Sequence, residues 1–181
     1  MNNRRRVLME KYIPDVYQKS IYDVNYQKLW QQGIKCLLFD LDNTLVPPSV
    51  KEPTNEVEEL FENLKNIGFK VIIFSNSPKK RVEQFKNRLG VDGFYSSKKP
   101  LSKNYLLVLS TYNYTINEVA IIGDQIMTDI VGGNKIGILT ILVNPIVKKE
   151  FIITKVNRFF EKRIIHKLSK KSLFIKGKYY E

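Results

Sequence analysis

The sequence predicts an α/β fold in three layers, a parallel sheet with helices on both faces. Two observations carry this prediction. Between positions 36 and 143, short continuous runs of Val, Ile, Leu and Phe alternate with helix-length amphipathic segments, the pattern of strands buried on both faces. Polar residues with chemical potential cluster just after several of those runs, where parallel sheets place their ligands.

Cys36-Leu37-Leu38-Phe39 is a short buried strand that ends in Asp40-Leu41-Asp42-Asn43-Thr44. Glu56 to Ile67 carries apolar residues at helical spacing, and Gly68 suits a C-cap. Lys70–Phe74 is a second buried strand. Pro78 to Leu89 reads as a helix starting just after Ser77 and ended by Gly90. Val91–Tyr95 suits a short strand, and Ser102 is expected to cap a helix through about Tyr112. Val119–Ile122 is another buried strand, Ile126–Asn134 a short helix, and Thr140–Val143 the last strand. A chain of 181 residues holds one such core and has little room for a second. The expected organisation is a lead-in segment over 1–34 packing on the core, the core over 35–147, and a basic amphipathic helix and tail over 148–181.

The ends of these elements hold the candidate site. Residues two apart on a strand project to the same side, so Asp40 and Asp42 can share a hard cation and divide the work of nucleophile and proton donor. Taken alone, the pair reads equally well as a solvated turn. The second strand ends in Ser75-Asn76-Ser77, the fourth in Gly123-Asp124-Gln125 with Thr128-Asp129 one turn later, and Lys98-Lys99-Pro100 precedes the Ser102 helix. Individually these suit an N-cap, a turn and a solvated loop. Together they form an inventory for phosphoryl transfer: carboxylate nucleophile, cation site, phosphate donors and a lysine.

In this order the motifs resemble those of the haloacid dehalogenase (HAD) superfamily of aspartate-nucleophile phosphatases. Asp40-Leu-Asp-Asn-Thr44 is similar to the first motif, Ser75 to the second, Lys99 before Pro100 to the third, and Gly123-Asp-Gln-Ile-Met-Thr-Asp129 to the fourth. Pro14-Asp15-Val16-Tyr17, Ser20-Ile21 and Gly33-Ile34-Lys35 further resemble the subfamily IIIA, YqeG-like phosphatases, related to the HAD-type phosphatidylglycerophosphate phosphatases. The resemblance spans roughly Leu8 to Val143.

It implies a Rossmann-like, HAD-like core and a role for each matching residue. Asp40 is the expected nucleophile, forming an aspartyl-phosphate, and Asp42 the acid and base. Mg²⁺ is expected on Asp40, the backbone carbonyl of Asp42 and Asp124, with Asp129 supporting the metal shell or orienting Lys99. Ser75, the Asn76 N–H and Lys99 would bind phosphate oxygens. Lys98 stands beside Lys99 as the other lysine available to that role.

Spacing and charge bear on the substrate. Only 34 positions take the chain from Asp40 to Phe74 and 23 from Asn76 to Lys99, which leaves no room for a cap domain. An uncovered site admits a lipid headgroup, a protein or a nucleic-acid end. The net charge is +12, and residues 148–181 hold eleven Lys or Arg against three Glu, a local +8. Such a surface needs an anionic partner. Ile152, Val156, Phe160, Ile164 and Leu168 recur every four residues among those lysines, so the helix can lie on an anionic membrane or pack on the sheet. Tyr12, Tyr17, Tyr22, Tyr26 and Trp30 in the lead-in suit a membrane boundary and ordinary packing alike.

Arg4-Arg5-Arg6 is followed by only three apolar residues, unlike a signal peptide. The single cysteine, Cys36, forms no intramolecular disulfide and suits a reducing compartment. The expected location is cytoplasmic and peripheral on the inner membrane face. The expected activity is Mg²⁺-dependent phosphomonoester hydrolysis, with phosphatidylglycerophosphate as substrate. The alternatives are a soluble phosphomonoester or phosphoprotein as substrate, or an RNA- or ribosome-binding protein that uses Phe151, Phe159, Phe160 and Phe174 among the tail lysines. His166 is expected at the surface, outside any catalysis.

Overall fold

The computed structural model describes residues 9–147 and 152–181, with the backbone alone for 152–159. The elements are β1 (Val16–Gln18), α1 (Tyr26–Gln31), β2 (Cys36–Phe39), α2 (Asn55–Ile67), β3 (Lys70–Phe74) and α3 (Lys79–Leu89). After these come β4 (Asp92–Phe94), α4 (Ser102–Tyr112), β5 (Val119–Gly123), α5 (Val131–Ile136), β6 (Leu139–Val143) and α6 (Ile152–Lys170). Among the described residues these six strands pair with one another in parallel, in the order β1-β6-β5-β2-β3-β4.

The continuous apolar runs divide their side chains between two layers, as the two-residue period of a strand requires. Leu37, Phe39, Val71, Ile73, Ala120 and Ile122 face Val57, Phe61 and Leu64 of α2 and Val82, Phe85 and Leu89 of α3. Cys36, Leu38, Ile72, Phe74, Val119 and Ile121 face Tyr105 and Val108 of α4. Each alternate residue thus meets a helix, which is why these strands carry no polar face. No cap domain interrupts the core.

Helix boundaries follow local chemistry. The Thr54 hydroxyl accepts from the Val57 N–H at 3.4 Å, and Gly68 ends α2 at φ +114°. A side chain at Gly68 would be strained there and would also strike the Trp30 ring. Ser102 is not a cap: Leu101 holds that position without a side-chain bond, after a turn closed by Leu101 N–H to Lys98 O at 2.9 Å. The helix expected over 126–134 is two pieces, a π turn over Ile126–Ile130 and then α5.

The lead-in supplies the edge strand β1 on β6. A three-residue strand leaves no periodic trace, so only the pairing reveals it. Most of its aromatics pack: Tyr17 and Tyr26 are buried and Trp30 stands edge-on to Phe69, whereas Tyr22 is exposed. On β1, Tyr180 pairs antiparallel to Tyr17, and Phe174 and Leu168 join Tyr17, Ile126, Ile130 and Leu142 in a third apolar cluster. The C-terminal stripe therefore packs on the core at Leu168, with Ile164 and Ile165 partly buried against the same cluster. Phe174 is buried, out of reach of a nucleobase, while Phe160 and His166 are exposed. Arg4–Arg6, Lys148, Lys149 and Phe151 lie outside the described residues, as do the side chains of Ile152, Val156 and Phe159.

Candidate active site

The sheet positions the site through its strand order. The chain leaves β2 for β3 on one side and later returns to β5 on the other, which opens a crevice above the carboxyl end of β2. Asp40 follows β2 directly, and its N–H still bonds Ile122 O at 2.9 Å, so the ladder holds the backbone at that point. Beyond it Asn43 adopts φ +69°, and its N–H reaches Val46 O at 2.8 Å in a tight turn. Val147 N–H donates to the Asn43 side chain at 3.2 Å, tying the chain after β6 to the same turn.

Asp40, Lys99, Asp124 and Asp129 meet in this crevice. Lys99 Nζ lies 2.7 Å from Asp40 Oδ1 and 2.7 Å from Asp129 Oδ1. All four side chains are buried. Carboxylate oxygens of Asp40, Asp124 and Asp129 lie within 4.8 Å of one another. Thr44 Oγ1 donates to Asp124 Oδ1 at 3.4 Å. The other oxygen of Asp129 accepts from Gln125 N–H at 3.1 Å and Thr128 Oγ1 at 3.3 Å. Gly123 has no room for a side chain, because a methyl group there would overlap the Asp129 carboxylate.

The electrostatics follow from packing three acids around one ammonium. The Asp40 carboxyl is raised to about 6: burial is the largest cause, Lys99 opposes it, and Asp129 and Asp42 add to the rise. Burial opposes the charge on Lys99, but Asp129 and Asp40 outweigh it and raise its pKa above the ordinary lysine value. One cation thus balances part of the negative charge, in a region of low dielectric where the remainder is costly.

Lys98 is exposed at φ +53° and Lys99 is buried on the acids, so geometry distinguishes the two neighbours. Asn76 fixes Lys99 through its backbone: Asn76 Oδ1 accepts from Lys99 N–H at 2.8 Å, and Asn76 Nδ2 donates to Lys99 O at 3.2 Å. Ser75 is buried at the end of β3, and its hydroxyl accepts from Ser77 N–H at 3.2 Å. Neither residue caps α3, whose first turn follows Pro78.

Asp42 stands apart from the acidic cluster. One of its oxygens accepts from Arg81 Nε at 3.1 Å and Nη2 at 2.8 Å, and the other from the Ser77 hydroxyl. The Arg81 guanidinium also donates to the carbonyls of Val50 and Pro47. Sequence reasoning missed Arg81 and Ser77. A signal for Arg81 existed: it is the third residue of a helix that opens after Ser75-Asn76, and helical side chains lean toward the N-terminus.

Residues 1–148 match the family described as mitochondrial PGP phosphatase. The chain is 36% identical over 165 residues to the Bacillus subtilis protein named Probable phosphatase YqeG, covering 91% of this chain and 96% of that one. It is 27% identical over 157 residues to phosphatidylglycerophosphate phosphatase 1, chloroplastic/mitochondrial, of Arabidopsis thaliana. That match covers 81% of this chain and 45% of the plant protein. Among solved structures, the cobalt-bound deoxy-D-mannose-octulosonate 8-phosphate phosphatase of Haemophilus influenzae superposes with a TM-score of 0.52 at 17% identity, over 82% of this chain and 95% of that one. This last likeness is one of fold.

Proposed function

The chain belongs to the family described as mitochondrial PGP phosphatase and is a HAD-type phosphoric monoester hydrolase, and we propose that it removes the terminal phosphate of phosphatidylglycerophosphate. The relation of Lys99 to two carboxylates carries the mechanism: its ammonium lies 2.7 Å from Asp40 and 2.7 Å from Asp129, with Asp124 in the same cluster.

The donor set fits a hard divalent cation. Three carboxylates whose oxygens approach within 4.8 Å suit Mg²⁺, which prefers oxygen ligands. Asp40 and Asp124 would hold it with the backbone carbonyl of Asp42, and Asp129 would support that shell. Bound there, Mg²⁺ supplies positive charge that offsets repulsion between an anionic nucleophile and a phosphate ester.

The protein's own residues then divide the reaction. A carboxylate oxygen of Asp40 attacks phosphorus, and the bond from phosphorus to the glycerol oxygen breaks. Asp42 gives its proton to that leaving oxygen. It then takes a proton from the water that attacks the aspartyl-phosphate, which frees inorganic phosphate and regenerates Asp40. Ser75, the Asn76 N–H and Lys99 bind the phosphate oxygens and hold phosphorus in line. Arg81 and Ser77 keep the Asp42 carboxylate in one orientation between these two proton transfers.

The lipid assignment draws support from the relatives named above and from a core without a cap domain, which leaves a headgroup room to enter while its acyl chains stay in an anionic bilayer. No helix among the described residues is long and apolar enough to cross a membrane, so contact with lipid would be peripheral. The test is phosphate release from phosphatidylglycerophosphate in mixed micelles, with soluble sugar and nucleotide phosphates alongside. The lipid is expected to be preferred and Asp40→Asn to be inactive. Equal turnover of the soluble esters would reject the substrate, and an active Asp40→Asn protein would reject the mechanism.

A further inference from the structure

We propose that the outer face of α4 is the surface by which this protein rests on an anionic phospholipid bilayer. α4 buries Tyr105 and Val108 against the sheet, but Leu101 just before it and Leu106 and Leu107 within it are 57%, 53% and 48% exposed. Lys103 lies one turn from both Leu106 and Leu107, so these three share a face. Two adjacent exposed leucines on the helix, with a third at its N-cap, are the kind of apolar grouping that marks an interaction site.

The surrounding charge says what covers this face. Lys98 and Lys103 are exposed beside it, and Lys135 of α5 reaches over to donate to Pro100 O at 3.3 Å. From Gly93 to Asn117 the sequence has no acidic residue. Leucine flanked by lysine matches an anionic bilayer, in which the apolar groups enter the interface and the ammonium groups stay at phosphate level. A second copy of the chain would set lysine against lysine. RNA would satisfy the lysines but would find leucine where single strands stack on aromatic rings.

Position adds to the match. Leu101 is two residues from Lys99, whose ammonium touches Asp40. α4 runs back from that end of the sheet, and Leu106 is only about 8 Å further along the helix. A bilayer on this flank therefore lies beside the crevice. The sequence alone left the C-terminal helix either on a membrane or on the core, and the structure packs its later part: Leu168 is buried and Ile164 and Ile165 pack against the cluster around Tyr17. The inference rests on the lipid-phosphate reading of the site, and its test is independent of turnover.

The experiment is sedimentation of the full chain with phosphatidylglycerol vesicles and with phosphatidylcholine vesicles, neither of which carries a phosphomonoester. The parent is expected to partition onto the anionic vesicles and not the zwitterionic ones. Leu106→Glu with Leu107→Glu is expected to weaken that partition about tenfold or more, and Lys103→Glu less strongly. All these proteins should hydrolyse p-nitrophenyl phosphate like the parent, which also verifies that they fold. Lys162→Glu with Lys167→Glu, exposed on α6, should have the smaller effect. Unchanged partition in both α4 variants overturns the proposal, and so does equal binding to both lipids. It is likewise overturned by a gel shift of single-stranded RNA, or a parent dimer, that the double leucine variant abolishes in the absence of anionic-vesicle binding. Failure of phosphatidylglycerophosphate turnover in detergent micelles, with vesicle binding intact, would count against the substrate and not against this surface.

Discussion

Arg81 grips Asp42 by a single carboxylate oxygen, with Nε at 3.1 Å and Nη2 at 2.8 Å, while Ser77 takes the other oxygen. The same guanidinium binds the carbonyls of Val50 and Pro47 and stacks over Phe85 at 4.7 Å from the ring centroid. One side chain thus joins α3, the loop after β2 and the carboxylate assigned to proton transfer.

If Arg81 orients the proton donor, its removal should hurt most where the leaving group needs a proton. Arg81→Ala is expected to lower kcat on an alkyl phosphate by about 10²-fold and on p-nitrophenyl phosphate by much less, since nitrophenolate departs unaided. Arg81→Lys should recover little, because an ammonium cannot reproduce the fork. Equal losses on both substrates would reduce Arg81 to a structural tie.

The buried ammonium also has a measurable structural role. Lys99→Ala leaves Asp40 and Asp129 facing each other without it, which should cost about 3–5 kcal/mol in metal-free protein. Urea unfolding in EDTA measures this. Adding Asp40→Asn removes one of the facing charges, so the double variant should be more stable than Lys99→Ala alone. Additive losses would mean that the two side chains are not coupled.

The raised carboxyl of Asp40 makes stability depend on pH. Its value in the fold is about 6 against an ordinary 3.8, so the folded state binds this proton more tightly than the unfolded state. The contribution is present below about pH 4 and lost as pH rises through 6, up to about 3 kcal/mol in metal-free protein. A divalent cation competes with that proton. Mg²⁺ should therefore raise Tm more at pH 7 than at pH 5 when measured against EDTA. An equal rise at both values would count against metal binding at Asp40.

Gly123 tests the fit of Asp129. A methyl group there would collide with the Asp129 carboxylate, displacing it from Lys99 and from Gln125 N–H. Gly123→Ala is expected to lower phosphatase activity by at least about 10²-fold and to shrink the Mg²⁺-induced rise in Tm. Full activity would show that Asp129 has room to move.

Much of this was legible in the chain. Cys36–Phe39, Lys70–Phe74 and Val119–Ile122 read as strands because burial on both faces leaves no polar position in them. Asp40, Ser75, Lys99 and Asp124 stood out because parallel strands all deliver their trailing residues to one edge of the sheet. Residues 16–18 were silent, since three residues carry no period and the edge position comes from pairing with Ile141–Val143. The amphipathic stripe at Ile164 and Leu168 was visible, but two different covers satisfy the same stripe.

The sequence by itself determined the parallel core and the order in which its acids and lysine arrive, since both depend on local pattern and chain direction. Tertiary structure alone decided that Arg81 holds Asp42, and it placed Lys99, the lysine the motif before Pro100 already pointed to, on the acids with Lys98 exposed. It also decided that the tail folds onto Tyr17 while Leu106 and Leu107 face outward. These are choices among residues of equal local propensity. They are made by which side chain finds its counter-charge or apolar partner across a distance in sequence that no local pattern records.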